Sequence, residues 1–210
     1  MATFAAPRYH AVVRLPTLLL ASILVQLSPA HAQEAQPDED RPTSYWHVSF
    51  LGGLLKPLAD TADTHDYGLV AGGRIGWSHR SGLGLAVGGY YSPLPRLDSI
   101  DPLETYESHF VVLTGGPQLS LMWKKLRVWM AGGGGMAYER SRRFYRNVAE
   151  ESKSESGLAA SASAGVELHF ISSGGLVIAG NYVRTFKTLA FSTERYQLGD
   201  LSAGLVFLFR

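Results

Sequence analysis

Hydrophobic and polar residues alternate with the period of a β-strand through the stretch from Val111 to Tyr138. Two strand-length arms meet at Lys124-Lys125, and so short a link predicts an antiparallel hairpin. Each arm has about the 9–11 residues that a tilted strand needs to cross a bilayer. The apolar parity comprises Val111, Leu113, Leu119, Leu121 and Trp123 in the first arm and Leu126, Val128, Met130, Met136 and Tyr138 in the second. The opposite parity is small, polar or charged, which is typical of a barrel wall with lipid outside and a polar interior.

The same pattern predicts eight strands between residues 44 and 210, and the connections between them alternate in length. The predicted strands are 45–55, 68–77, 83–92, 108–123, 126–139, 157–171, 176–186 and 196–209. Connections 78–82, 124–125 and 172–175 are short, whereas 56–67, 93–107, 140–156 and 187–195 are long. Short turns on one rim and long loops on the other are typical of a bacterial barrel. The predicted fold is therefore all-β, an eight-stranded antiparallel transmembrane β-barrel with four exposed loops.

Aromatic residues are predicted to form two belts at the ends of the strands. Trp46, Trp77, Trp123, Phe170, Phe207 and Phe209 fall at the short-turn rim, and Tyr91, Phe110, Tyr138 and Phe186 near the long-loop rim. Such belts mark the two membrane–water interfaces. A soluble lipocalin-like barrel is the alternative fold, and it would require the apolar faces to point inward.

The first 43 residues predict export rather than structure. Residues 1–32 combine Arg8 and Arg14, an apolar run from Leu15 to Leu27 and a small-x-small site at 30–32, which is the pattern of a cleaved signal peptide. A retained anchor helix is the less favoured alternative, because a run of 13 residues is short for a membrane span. Residues 33–43 are polar, acidic and proline-containing, and predict a flexible periplasmic lead-in.

Composition excludes several classes of function. Without residues 1–32 the chain has 17 Lys and Arg against 18 Asp and Glu, so no basic excess points to nucleic acid. The chain has no cysteine, which rules out disulfides and thiolate metal sites. Acidic residues recur in the first two long connections, but their spacing matches no EF-hand loop. We therefore expect neither a metal nor a cofactor.

In this architecture the chain resembles the small outer-membrane β-barrel domain family that includes OmpA-, OmpX- and OmpW-like proteins. The closing stretch Leu201–Arg210 resembles the family's assembly signal, although Arg210 follows the aromatic Phe209. The resemblance covers residues 45–210 and implies an outer-membrane location. It also implies contact with outer-membrane lipids and the barrel assembly machinery. We expect a monomer.

Charged residues of the inward parity predict a polar network inside the barrel. Arg74 and Glu167 lie on strands that face each other across an eight-stranded barrel, so we expect them to pair. We expect Arg127, His169, Glu139 and Asp200 to extend this network. A structural plug is the favoured interpretation, because barrels of this size usually have packed interiors. A gate across a narrow water path is the alternative.

The third long connection begins with a basic and aromatic cluster that contains Arg140, Arg142, Arg143 and Arg146. Arginine binds phosphate bidentately and aromatic rings settle at the headgroup level of a membrane. We therefore hypothesise that these arginines contact lipopolysaccharide, with Arg184 and Lys187 as neighbours. A solvated basic patch is the alternative.

Three functions remain open from the sequence. The favoured one is a structural or surface-interaction barrel, and the second is a narrow pore for ions or small solutes. The third is a lipid A-modifying enzyme, for which Ser108-His109 and Glu139 are the only candidates. Their parity places His109 outward and Glu139 inward, so we expect no catalysis.

Overall fold

The computed structural model describes residues 43–63, 65–94, 104–146, 148–190 and 195–209 of the chain. The predicted signal peptide and all of the predicted lead-in except Thr43 lie outside these residues. No helix among the described residues is long and apolar enough to cross a membrane.

Within the described ranges the chain forms eight antiparallel strands that close into one barrel. The first and last strands complete the closure, with Trp46 opposite Phe209 at one end and Pro57 opposite Leu198 at the other. The strands are β1 (Ser44–Pro57), β2 (Gly68–His79), β3 (Leu83–Pro93), β4 (Glu104–Trp123), β5 (Leu126–Tyr145), β6 (Val148–Ile171), β7 (Gly174–Thr188) and β8 (Arg195–Phe209). The predicted fold class is confirmed.

The barrel is apolar outside and polar within. Leu113 and Trp123 on the outer face are 59% and 74% exposed, whereas Gln118 and Arg127 on the inner face are 1% and 0% exposed. A soluble barrel would have the opposite arrangement, because burying apolar surface drives its folding. The outer face therefore suits hydrocarbon as its solvent, as in transmembrane barrels.

Two groups of exposed aromatic side chains lie at the two ends of this apolar surface. The short-turn end carries Trp46, Trp123, Phe170, Phe207 and Phe209, and the long-loop end carries Tyr67, Tyr91, Tyr138, Tyr182 and Phe186. The predicted position of Phe110 in the aromatic belt near the long-loop rim is wrong. Its side chain is fully buried inside the barrel, because it has the parity opposite to Val111.

The third long connection, predicted over residues 140–156, is also wrong. β5 continues to Tyr145 and β6 begins at Val148, so the two strands form one long hairpin. Arg146 at its tip has a φ of 48°, which is typical of a tight turn. The strands continue because β4 also extends outward to Glu104 and pairs with β5. Beyond the membrane a strand no longer needs an apolar outer face, so hydrophobicity stops marking its end.

The other connections follow the predicted asymmetry. Residues 80–82, 124–125 and 172–173 form the short turns. Gly82 has a φ of +87°, a conformation that residues with a side chain rarely adopt. On the opposite rim a 3-10 helix, Ala59–Asp63, occupies the connection between β1 and β2. We call the end of the barrel with these three turns the short-turn rim and the opposite end the long-loop rim.

Candidate functional site

The lower third of the barrel interior, near the short-turn rim, is filled by a polar cluster centred on Arg127. Its Nη1 donates to Glu167 Oε1 at 2.8 Å, and its Nη2 donates to Ser78 Oγ at 2.9 Å. The side chains of Arg127 and Glu167 are 0% and 2% exposed. Because Arg127 and Glu167 are direct cross-strand partners on β5 and β6, the register itself places the two charges together.

Arg74 does not form the predicted ion pair with Glu167. Its Nη2 instead donates to Gln118 Oε1, and its guanidinium lies 3.4 Å from the ring centroid of Trp129. Gln118 Nε2 donates in turn to Ser78 Oγ at 2.9 Å. Ser78 and Gln118 together therefore link the two arginines. Arg127 pairs with Glu167 because the two residues are direct cross-strand partners, whereas Arg74 is on a more distant strand.

Two histidines complete this cluster, which we call the floor. His169 Nε2 lies 3.3 Å from Glu167 Oε2, and His47 is fully buried. Gly76 faces His47 across β1 and β2, where an added Cβ would come within 2.2 Å of the imidazole Nε2. The small residue thus makes room for the ring.

Trp129 fills the remaining width of the floor. The indole is 3% exposed and packs in one apolar cluster with Val177, Ala179 and Val206. Its cross-strand partner is Gly165, where a Cβ would lie 2.6 Å from Trp129 Cζ2. Four members of the floor were not predicted from the sequence: Trp129, His47, Gln118 and Ser78. Trp129 has the same parity as Arg127, so alternation along β5 was the signal that could have found it.

Glu139 and Asp200 lie inside the barrel but belong to two other polar groups. Glu139 Oε1 accepts a hydrogen bond from Ser141 Oγ at 2.6 Å, and Ser141 also contacts Ser108 Oγ at 2.6 Å. Asp200 Oδ1 accepts from Asn181 Nδ2 at 2.7 Å and from Ser202 Oγ at 2.8 Å. The predicted network is therefore divided into three groups, because these residues lie at different heights.

The upper interior is closed by apolar side chains, which we call the roof. Phe110 and Tyr196 form its centre, with ring centroids 5.1 Å apart, and Tyr196 Oη lies 3.3 Å from His65 Nε2. The roof comprises Leu55, Val70, Leu94, Phe110, Val112, Ala137, Ala159, Val183, Leu189, Tyr196 and Leu198. Leu94 and Leu189 come from the ends of connections, so the long-loop rim folds inward over the strands. This layer was not predicted from the sequence.

A cavity of about 60 Å³ lies between the floor and the roof. Arg74 borders it on the floor side, and Tyr90, Asn181 and Asp200 border it elsewhere. This volume has room for a few water molecules, since one water needs roughly 10–15 Å³. The interior can therefore hold small polar solutes but is packed above and below.

The four arginines of the predicted lipopolysaccharide cluster do not share one face. Arg140 and Arg142 are exposed on the outer face of β5, in line with Tyr138. Arg143 has the opposite parity, and its Nη2 lies 3.7 Å from Glu151 Oε2. Arg146 lies at the turn, with its guanidinium 5.5 Å from the Tyr145 ring centroid. Only Arg140 and Arg142 can meet a lipid beside the wall together.

No protein-family model matches the sequence, and no curated protein does. Among solved structures, a major outer membrane protein from Thermus thermophilus is similar, with a TM-score of 0.58 and 10% identity. That match covers 80% of this chain and 100% of the other. Neisserial surface protein A is similar over 77% of this chain and 96% of its own, with a TM-score of 0.51 and 12% identity.

The chain has the fold of the small outer-membrane β-barrels. In this outer-membrane-type barrel, the side chains of Ser108 and His109, the candidate catalytic pair, lie on opposite sides of the wall. Ser108 is buried inside with Ser141, whereas His109 stacks on the outward-facing Tyr91 with ring centroids 5.9 Å apart. Glu139 also lies inside, on the side away from His109. Ser108, His109 and Glu139 are therefore not positioned as a catalytic triad.

Of the acidic residues in the long connections, Asp98 and Asp101 lie outside the described residues. Among the residues that the structure describes, no group of three or more His, Cys, Asp or Glu side chains is placed to hold a metal ion. Asp66 instead accepts a hydrogen bond from the backbone N–H of Tyr67 at 2.7 Å.

Proposed function

We propose that the protein is an integral outer-membrane barrel with a closed interior, whose role is structural or in surface interactions. The observation that carries this proposal is the filling of the interior from both ends. Arg127 in the floor and Phe110 in the roof are each 0% exposed. Packing of this kind stabilises a narrow barrel but leaves no open path for solutes.

The proposed location has three supports. The apolar outer face needs a hydrocarbon solvent. The fold is that of a major outer membrane protein and of a bacterial surface protein. The sequence of residues 1–32 predicts an export signal, which a protein of the outer membrane requires. The proposal includes no catalytic activity, because Ser108 and His109 project from opposite faces of β4.

A narrow pore is the competing function, and planar-bilayer recording separates the two. We expect the full barrel to give no stable conductance steps above the bare bilayer, because the floor and the roof lie in series. The protein's insertion is checked independently by its altered gel migration before and after boiling. Reproducible open-channel steps from correctly inserted protein would contradict a closed interior.

Contact with anionic lipid is the second part of the proposal. Arg140 and Arg142 are exposed on the outer wall, and neither has a carboxylate within salt-bridge distance among the described residues. They stand immediately beyond Tyr138, at the aromatic level where lipid headgroups begin. Guanidinium groups in this position favour the phosphates of lipopolysaccharide.

A double variant tests this contact. We expect Arg140→Ala/Arg142→Ala to retain roughly a hundred times less lipopolysaccharide in gentle detergent, because two charge-assisted contacts are lost, each of which contributes about tenfold. Retained lipopolysaccharide is measured by native mass spectrometry.

The control is Arg143→Ala, which removes one arginine from the same strand but on the opposite face. It is expected to behave as the parent does. Equal retention by the parent and the double variant would end the lipid-contact proposal.

A further inference from the structure

We propose that Tyr91, His109 and Arg140 form a binding site on the outer wall for a phosphate group of an outer-leaflet lipid. The inference rests on the proposed lipid contact and names the residues that make it specific. It adds a histidine that no charge pattern singled out, and a tyrosine that positions this histidine.

The first observation is the outward pair formed by Tyr91 and His109. Tyr91 Oη lies 2.6 Å from His109 Nδ1, and the two rings stack at an interplanar angle of 15°. Tyr91 is 43% exposed on the lipid-facing surface. A hydrogen-bonded and stacked imidazole is held in one orientation, so its second nitrogen, Nε2, is presented in a fixed direction.

The chemistry of the pair favours an anion at Nε2. When the Tyr91 hydroxyl donates to Nδ1, the neutral imidazole carries its proton on Nε2 and is a donor there. A phosphate oxygen beside Nε2 selects this tautomer, because it accepts the Nε2 proton. The tyrosine thus turns the histidine into a directed donor without supplying a charge of its own.

The second observation is the register that joins His109 to Arg140. The two residues are direct cross-strand partners on β4 and β5, and such partners have Cβ atoms about 4.5–5.5 Å apart. Both have the outward parity, since Val111 and Tyr138 in the adjacent row are 41% exposed. A planar guanidinium and an imidazole N–H at this spacing can bind two oxygens of one phosphate.

The height of the site identifies the ligand as a lipid. Tyr91, Val111 and Tyr138 form one row across β3, β4 and β5, and His109 and Arg140 lie two residues further out. Two residues correspond to about 7 Å along a strand. Tyrosine rings mark the headgroup level, so the donors stand where headgroup phosphates lie.

The neighbouring charges leave the site cationic. Arg142 is the next outward residue along β5, and Glu107 is its cross-strand partner on β4. Counting Arg140, Arg142 and Glu107, the described charged residues on the outer faces of β4 and β5 beside His109 have a net charge of +1. Glu107 repels an anion, so neutralising it is expected to strengthen phosphate binding, whereas removing Arg140 or His109 is expected to weaken it.

The experiment uses the full chain in phosphatidylcholine nanodiscs containing a minor fraction of lipid A. Bound lipid A is counted by native mass spectrometry after gentle release. We expect His109→Ala and Arg140→Ala each to lower retention about tenfold, since each removes a directed donor. Tyr91→Phe keeps the stacked ring and loses only the hydroxyl, and we expect retention to fall about threefold. Glu107→Gln is expected to raise retention.

Arg80→Ala is the matched control, because Arg80 is an exposed arginine in the short turn between β2 and β3, at the opposite rim of the barrel from the site. It should retain as much lipid A as the parent. A gel-migration check before and after boiling shows that each variant is folded, and the mild Tyr91→Phe change remains informative if His109→Ala folds poorly.

The possible outcomes separate this inference from the proposed function. Loss with Arg140→Ala but parent-like retention with both His109→Ala and Tyr91→Phe would overturn the three-residue site and leave the lipid contact standing. Parent-like retention in all variants would overturn both. If inorganic phosphate displaces lipid A completely at equal concentration, the site is one for free phosphate, and the lipid assignment is wrong.

Discussion

Replacing Glu167 with alanine is expected to destabilise the folded barrel by about 3–5 kcal/mol, because a buried guanidinium is left without its carboxylate. Arg127 is 0% exposed and bonds Glu167 at 2.8 Å, so water cannot replace the lost partner without disturbing the floor. The free energy of unfolding is measured by urea denaturation in lipid vesicles, followed by tryptophan fluorescence.

Glu151→Ala is the control for this measurement. Glu151 also pairs with an arginine, but the two side chains are 51% and 33% exposed and 3.7 Å apart. An exposed pair of this kind contributes about 0–1 kcal/mol. If the two variants lose equal stability, the floor is not the structural element that we describe.

The same Glu167→Ala protein distinguishes a plug from a gate. A gate held shut by the ion pair would conduct better once the carboxylate is gone. We expect conductance to stay at the level of the parent, because Trp129, Gln118 and the roof still fill the interior.

Replacing Phe110 with alanine is expected to cost about 3–5 kcal/mol, since it removes a large side chain from a closed apolar layer and leaves a cavity. Phe110 is fully buried and packs on Tyr196 in the centre of the roof. The same urea denaturation in lipid vesicles measures the loss.

Phe186→Ala is the matched control, because Phe186 is 56% exposed on the outer face and its loss opens no cavity. Its effect is expected to be smaller than that of Phe110→Ala, because an outward ring loses only its contact with lipid and adds no cavity term. A loss at Phe110 no larger than this would show that the roof does not stabilise the barrel.

The number of strands, their order and the face to which each side chain points could be read from the sequence. Alternation is a local property, because successive residues of a strand point to opposite sides whatever the strand pairs with. Arg127 and Glu167 were therefore assigned correctly to the inner parity, and Leu113 and Trp123 to the outer. Phe110 also has the inner parity, so alternation alone places it inside the barrel. Its aromatic side chain had suggested a position in the belt instead.

Contacts between strands could not be read in the same way. Parity places Arg74, Arg127 and Glu167 inside the barrel, but only the register decides that Arg127 stands opposite Glu167. Arg74 then pairs with Gln118 and Trp129 instead. The arginines that follow Glu139 are a second example. Their clustering was visible in the sequence, but the extension of β5 to Tyr145, which places them on different faces, was not. That extension exists because β4 and β6 supply hydrogen-bonding partners on both sides.

For this protein the sequence alone determined a closed eight-stranded wall with an apolar outside and a polar inside, because that pattern repeats every two residues. Only the tertiary structure decided that the interior is divided into a floor, a cavity and a roof. It also decided that Tyr91 contacts His109 on the outer wall and that Arg140 stands opposite His109 on the next strand. These features join residues far apart in the chain, and the relative height of neighbouring strands is set by their pairing rather than by any local pattern.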